Sequence, residues 1–432
     1  MHHMHSSFTR RDWLKSASVL GGACLAGASF TRAVAAPAPA SPVSVAKCLT
    51  YDPKELLPVM AKMFDQLGGI GKLVKGKTVA IKINLTGQTT SRLGNLPLGE
   101  THFTHPAVGA AAVSLMAKAG AARVRVLESV WATTEPVEEF LIQGNMEPRD
   151  ILGAGPNVEF ENTNYLGKGK KYSRLMVPTG GYIYPGFQLN HSYEECDVFV
   201  SIGKLKEHAT AGYTGAMKNC FGNAPVTIYG DSAGVDEPAL TPQGGRNPFH
   251  YGKRQPSKSA PQDKIFGTPR LDTYRVPRIV TDMVGARPIH LSIVEGIKTM
   301  TAGEGPWIQG AAPASPGVIV AGLNPVCTDA VSMAVMNFDP MGDRGSPPFE
   351  DCDSTLKLAE DVGIGTRDLK RIEVAGASIA SVRFDFAKLR AARRANPPRP
   401  VPGKADGKSW PGRGSCGPVG GAGIRACREL AV

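Results

Sequence analysis

The sequence lacks most of the features by which common function classes announce themselves. Its eight cysteines are scattered over 432 residues without a single C-x-x-C pair, so ferredoxin-type clusters and zinc ribbons have no ligand framework and no iron–sulfur cluster is expected. The residues name no other cofactor or metal. Aromatic residues make up only 7% of the chain, which is thin for the stacking platforms of single-stranded nucleic-acid binding. No apolar run approaches the roughly 20 residues of a membrane span. Charged residues amount to 20% and hydrophobic ones to 42%, which excludes a disordered polyampholyte and leaves enough apolar side chains for a real core. There is no internal repeat.

What is abundant is basic charge, and it sits at the ends. The formal net charge is +11. Residues 1–36 hold Arg10, Arg11, Lys15 and Arg32 against Asp12, and residues 390–432 hold nine basic side chains against Asp406 and Glu429, so the long middle is nearly neutral. A nucleic-acid partner is therefore not expected, whereas the basic tail suits contact with an anionic membrane or cell-wall polymer. Thr9-Arg10-Arg11-Asp12-Trp13-Leu14-Lys15, the charge-free stretch from Ser16 to Thr31, and Ala33-Val34-Ala35 before Ala36 resemble a twin-arginine export signal. That resemblance implies a periplasmic or otherwise exported protein, handled by the twin-arginine translocase and carried already folded. Removal of the signal would leave seven cysteines in an oxidising compartment, with Cys416 and Cys427 in the Gly-rich tail as the expected disulfide pair.

Three regions are thus expected: a signal over 1–36, a domain over 37–390 and a disordered basic Pro/Gly-rich tail over 391–432. Within the domain, Val79 to Leu85 reads as a buried strand, Pro106 to Ala119 as a helix stopped by Gly120, and Arg123 to Leu127 as the next strand. The alternation continues with strands at Asp197 to Ile202, Ile289 to Val294, Gly317 to Ala321 and Arg371 to Val374, and helices at Leu271 to Gly285 and Val326 to Met336. Such order predicts an α/β fold with a mostly parallel sheet flanked by helices, in one lobe or in two with a cleft between. Residues 223–270 are rich in Gly, Pro and Ser without a clear period, and read as an insertion or lid.

Ligands of open parallel sheets bind beyond the carboxyl ends of the strands, and three polar clusters fall there. The first joins Lys82 and Asn84 to Thr101-His102-Phe103-Thr104-His105-Pro106, with His105-Pro106 opening a helix. The second runs from Lys204, Lys206 and His208 through Thr214 to Lys218, Asn219 and Gly222. It interleaves cations with Gly and Thr: Thr214 is the expected N-cap of a short helix carrying Lys218, a lysine beside other cations can act as base, Schiff-base donor or covalent anchor, and His208 can move a proton near neutrality. The third holds Glu295, Glu304 in a Gly-flanked loop, and Asp329 at a helix start, where capping and an acid or ligand role are both open.

Together these stretches resemble the domain-of-unknown-function 362 family: Lys82 and Asn84, His105-Pro106, Lys204-x-Lys206-x-His208 running into Thr214-Gly215-Ala216-Met217-Lys218-Asn219-x-x-Gly222, Glu304-Gly305-Pro306, and Asn324-Pro325 to Asp329. The resemblance covers about residues 45–378. Some members of that family carry an added cluster-binding domain, whose cysteines this chain lacks; where the pattern has Asp before Gly296, this chain has Glu295. The central stretch is also remotely similar to nickel-pincer lactate racemase, in which a histidine lies ten residues before a lysine that holds a pincer cofactor covalently, the spacing of His208 and Lys218. By that resemblance Lys218 is an anchor and His208 a proton-transfer residue near a 2-hydroxy acid. The racemase's nickel-ligating histidine soon after the lysine has no counterpart before His250. The expectation is an enzyme taking a small anionic ligand between Lys82, Asn84, Lys204, Lys206, Thr214, Asn219 and Glu304, with His208 and Lys218 doing isomerase- or racemase-type acid/base work. The alternatives are a solute-binding protein without chemistry and a metal-dependent redox protein.

Overall fold

Short β-branched runs bounded by Gly, Lys and turn residues form the strands of one sheet. The computed structural model describes residues 37–130, 135–241, 244–268 and 270–389; the expected export signal, the basic tail and its Cys416 and Cys427 lie outside them. In chain order the sheet strands are β1 (Val43–Lys47), β2 (Thr78–Lys82), β3 (Arg123–Glu128), β4 (Val158–Asn162), β5 (Val198–Lys204), β6 (Leu291–Gly296), β7 (Val318–Gly322) and β8 (Val374–Gly376). Their spatial order is β8-β1-β7-β6-β5-β2-β3-β4. All neighbours are parallel except that β7 runs antiparallel to both β1 and β6. The fold is α/β, with a mostly parallel sheet flanked by helices, and one apolar cluster contains Val79, Val124 and Ile293 while another contains Ala80, Leu127 and Val294.

The helices that matter for the site are α1 (Pro53–Gln66), α2 (Pro106–Lys118), α3 (Gly215–Asn219), α4 (Asn247–Tyr251), α5 (Asp272–Ala286) and α6 (Pro325–Val335). Helix α2 shows why the sequence folds as it does. His105 caps it by accepting the Ala107 N–H on Nδ1 at 3.2 Å, Pro106 supplies a preset first turn, a run of Ala and Val packs inward, and Gly120 follows its end at φ +90°. Strands β1 and β4 and helix α1 are absent from the sequence-based expectation. The strand expected at Arg371 to Val374 begins instead at Val374, behind a short turn of 3₁₀ helix over Leu369–Arg371.

The 223–270 segment is anchored to the body of the fold at several described residues. Tyr229 and Phe249 from this segment are fully buried, and the Arg275 guanidinium of α5 reaches across to the Phe249 and Pro248 carbonyls and to Asp263 at 2.7 Å.

Candidate functional site

Strand order reverses at β2. The chain runs outward through β2, β3 and β4, then returns to lay β5 on the other side of β2. This switch point opens a crevice at the carboxyl ends of β2 and β5, and Asn219 of α3 sits in it. Its Nδ2 lies 3.2 Å from the Lys82 carbonyl, 3.0 Å from Ser201 Oγ and 3.3 Å from the Ile202 carbonyl, while its Oδ1 accepts from Asn84 Nδ2 at 3.2 Å and from Lys82 Nζ at 3.3 Å. Lys82, the last residue of β2, is paired with Glu128, the last of β3, at 2.7 Å. Glu128 in turn accepts the N–H groups of Leu85 and Ser129. Burial pulls the Lys82 ammonium below its usual range and Glu128 opposes that shift.

Helix α3 is aimed by a carboxylate from α6. Asp329 Oδ1 accepts the Ala216 N–H at 2.8 Å and Oδ2 the Met217 N–H at 3.0 Å, which supplies the N-terminal cap. Burial lifts Asp329 to about 7 against those two bonds. Thr214 occupies the N-cap position, but its hydroxyl donates to the Glu207 carbonyl at 3.3 Å. The approach is so close that a Cβ on Gly215, at φ +51°, would lie 2.3 Å from Asp329 Oδ1, and one on Gly203 would lie 2.1 Å from the Gly215 carbonyl oxygen.

So held, α3 delivers Lys218 to a cavity of about 400 Å³. Lys82, Asn84 and Asn219 line it from the switch point, His208 and Glu304 from loops beyond β5 and β6, and Arg246 and His250 from the 223–270 segment. Lys218 Nζ lies 4.3 Å from the centroid of the Phe221 ring, and no hydrogen-bond acceptor or ion pair holds it among the described residues. Burial lowers it to about 7, with Glu304 opposing and Arg246 and Lys82 adding to the drop. His208 Nδ1 accepts the Thr210 N–H at 3.2 Å, so the neutral ring carries its proton on Nε2. Burial and the nearby Lys218 keep that ring neutral. Burial would raise the Glu304 carboxyl, but bonds from the Ala209 N–H and the Trp307 indole oppose it and hold the carboxyl below its usual range. Burial also lowers His250 to about 4 and Arg246 to about 10.

Of the residues expected from sequence, Lys82, Asn84, His208, Lys218, Asn219 and Glu304 meet on this cavity, while Lys204, Lys206 and Thr214 do not line it. Lys204 is sealed and paired with Glu295 at 2.5 Å and with the Gly99 carbonyl at 2.6 Å. Lys206 donates to the carbonyls of His102 at 3.0 Å and Glu304 at 2.6 Å. Asp329 is the cap just described, and His105 stacks on Tyr51 with centroids 3.6 Å apart. Glu128, Arg246 and His250 went unrecognised in the sequence. Glu128 directly follows the strand expected to end at Leu127, where the strand-end rule would have found it. Arg246 and His250 carry no such signal. No group of three or more His, Cys, Asp and Glu side chains that could hold a metal ion occurs among the described residues. A nickel ion held by a cluster of three or more such protein side chains therefore does not fit the described residues.

The family model described as Domain of unknown function (DUF362) matches residues 79–334, a span that runs from β2 to α6 and contains the whole cavity. The chain is also similar to the Thylakoid-associated protein sll1697 of Synechocystis sp., at 28% identity over 184 residues, which is 42% of this chain and 50% of that protein. The chain thus spans about half the length of the curated relative it matches. No described helix is long and apolar enough to cross a membrane.

Proposed function

The chain belongs to the DUF362 family, and from that premise we propose that it binds a small anion in the switch-point cavity and exchanges a proton with it through His208 and Lys218, as an isomerase or racemase does. The observation that carries this reading is Lys218: a half-buried ammonium on the cavity wall, opposite no acceptor among the described residues, with Arg246 and His208 on the same cavity. A lysine so placed either receives an anionic oxygen when protonated or accepts a proton when neutral, and its value of about 7 makes both forms available at neutral pH. His208 offers its Nε2–H to a ligand oxygen. Lys82 is neutralised by Glu128 and helps mainly to hold Asn219 and Asn84 in place.

The test is calorimetric titration of the purified full-length chain with inorganic phosphate and a panel of small carboxylates, followed by NMR of each bound carboxylate in D₂O. Saturable binding with deuterium appearing at the carbon next to the carboxylate, lost in Lys218→Ala and His208→Ala, is the expected result. Binding without exchange would leave a solute-binding protein, and binding unchanged in both variants would remove the site assignment.

Export belongs to the same proposal, supported by the Arg10-Arg11 pattern and by the name of the thylakoid-associated relative. An Arg10→Lys/Arg11→Lys variant should stay in the cytoplasmic fraction, and truncation after Ala395 should weaken any membrane or cell-wall association. Unchanged fractionation of either would remove the corresponding part.

A further inference from the structure

We propose that Lys218 is a carbonyl-capturing nucleophile: the anion taken by the cavity bears an aldehyde or ketone carbonyl, a 2-oxo acid being a compact form, and is held as an imine on Lys218 Nζ. This deepens the anion-binding reading above and rests on it.

Lys82, Lys204 and Lys206 are sealed from solvent, whereas Lys218 is only half-buried. Lys82, Lys204 and Lys206 each have an oxygen acceptor within 3.0 Å of Nζ; Lys82 is tied to Glu128, and Lys204 and Lys206 do not line the cavity. Lys218 alone of these four has no such acceptor among the described residues. Its Nζ faces the Phe221 ring on one side and the cavity on the other. The aromatic face leaves the amine poorly solvated without trapping it in a salt bridge, the environment in which lysine is nucleophilic. The value of about 7 set by burial agrees.

The neighbours supply the rest. The Lys218 lone pair forms the C–N bond while the carbonyl π pair moves to oxygen, and a proton leaving the nitrogen ends on that oxygen, giving a neutral carbinolamine. The second nitrogen proton passes through solvent water to the hydroxyl, which departs as water as the nitrogen lone pair closes the C=N bond, while His208 Nε2–H donates a hydrogen bond to the departing oxygen. The sum is amine plus carbonyl to imine plus water, with no oxidant or reductant. Arg246, on the same cavity and without a carboxylate partner among the described residues, is the counter-charge for the anionic end. Glu304, bonded to the Ala209 N–H and the Trp307 indole, stays ionised and takes no part as an acid.

The experiment incubates the full-length chain with pyruvate, with glyoxylate or with neutral acetaldehyde in the presence of cyanoborohydride, and maps the product by peptide mass. The expected result is one adduct at Lys218 whose mass gain equals the oxo acid less one oxygen, formed about tenfold or more faster with the two anions than with acetaldehyde. Lys218→Arg should keep its melting temperature and lose the adduct. Calorimetric saturation by pyruvate with no adduct at Lys218, or adducts spread evenly over exposed lysines, would overturn the imine and leave anion binding standing. An adduct at Lys218 formed equally fast with acetaldehyde would keep the imine and overturn the anion. Neither binding nor adduct would overturn both.

Discussion

Lys204 ends β5 and Lys218 lies in the loop-rich stretch that follows it, yet the fold treats them oppositely. Lys204 is closed into a core of its own with Glu295, whose carboxylate also takes the His105 N–H and the Tyr51 hydroxyl. Lys218 is held at the end of a short helix whose geometry is fixed from outside by Asp329, and no hydrogen-bond acceptor or ion pair among the described residues engages its Nζ. The first lysine ties β5 to β6 and to the loop before α2; the second is left for a ligand. A buried cation is thus no evidence of function by itself, and its partners decide the matter.

The sharpest way to break that contrast is Lys204→Met. It would leave Glu295 as an uncompensated buried charge and should cost about 3–5 kcal/mol of unfolding free energy. Urea denaturation followed by circular dichroism would measure it. Lys204→Met/Glu295→Leu should recover part of the loss, though not all, because the His105 N–H and Tyr51 hydroxyl would lose their acceptor. Lys218→Met, by contrast, should not destabilise the chain at neutral pH and should raise its unfolding free energy, because it removes a cation that burial disfavours. A large destabilisation by the second change and a small one by the first would reverse the assignment of roles.

Asp329→Asn asks whether the two regions are coupled. An amide can accept one of the Ala216 and Met217 N–H bonds but presents N–H donors to the other, so a cost of about 1–3 kcal/mol is expected. Because Asp329 aims the helix that carries Lys218 and Asn219, the same variant should also weaken anion affinity. Full stability loss with unchanged affinity would mean that α3 keeps its place without its cap.

Much of this fold was legible in the chain. The βαβ rhythm around Pro106 to Gly120 carries its own start and stop, and the strands that are buried on both faces read as unbroken apolar runs. Strand β1 was hidden by its brevity and by its place next to the expected signal, and β4 by charged residues, since Glu159 and Glu161 alternate with the buried Phe160. The dense Lys204 to Lys218 run was legible as a place where chemistry gathers, but spacing cannot tell an answered lysine from an unanswered one. The partners of Lys204 and Lys206, namely Gly99, His102, Glu295 and Glu304, are about a hundred residues away in sequence and come close only through the sheet. Arg246 and His250 were illegible for the opposite reason. They lie in an aperiodic segment whose packing rests on scattered anchors such as Phe249 and on the Arg275–Asp263 pair rather than on a repeat.

The smallest expected effect is also the most diagnostic, because it separates the helix cap from the cavity lysine by the sign of a slope. Lys218 is lowered to about 7 in the folded chain from an ordinary 10.5, so between those values the unfolded chain holds a proton that the folded one has released, and stability rises with pH. Asp329 is raised to about 7 from 3.8, so between those values the folded chain holds the extra proton, and stability falls as pH rises. The two contributions make a minimum near neutrality, each limb with a slope of at most about 1.4 kcal/mol per pH unit. In urea titrations from pH 5 to pH 9, Lys218→Met should flatten the upper limb and leave the lower one, while Asp329→Asn should do the reverse. Anion affinity should fall as pH climbs through about 7, as the ammonium is lost, whereas imine trapping by cyanoborohydride should quicken over the same interval as the free amine appears. If affinity and trapping moved together with pH, one ionisation of Lys218 could not govern both, and the cavity would need a second titrating cation such as Arg246, lowered only to about 10, to account for the binding.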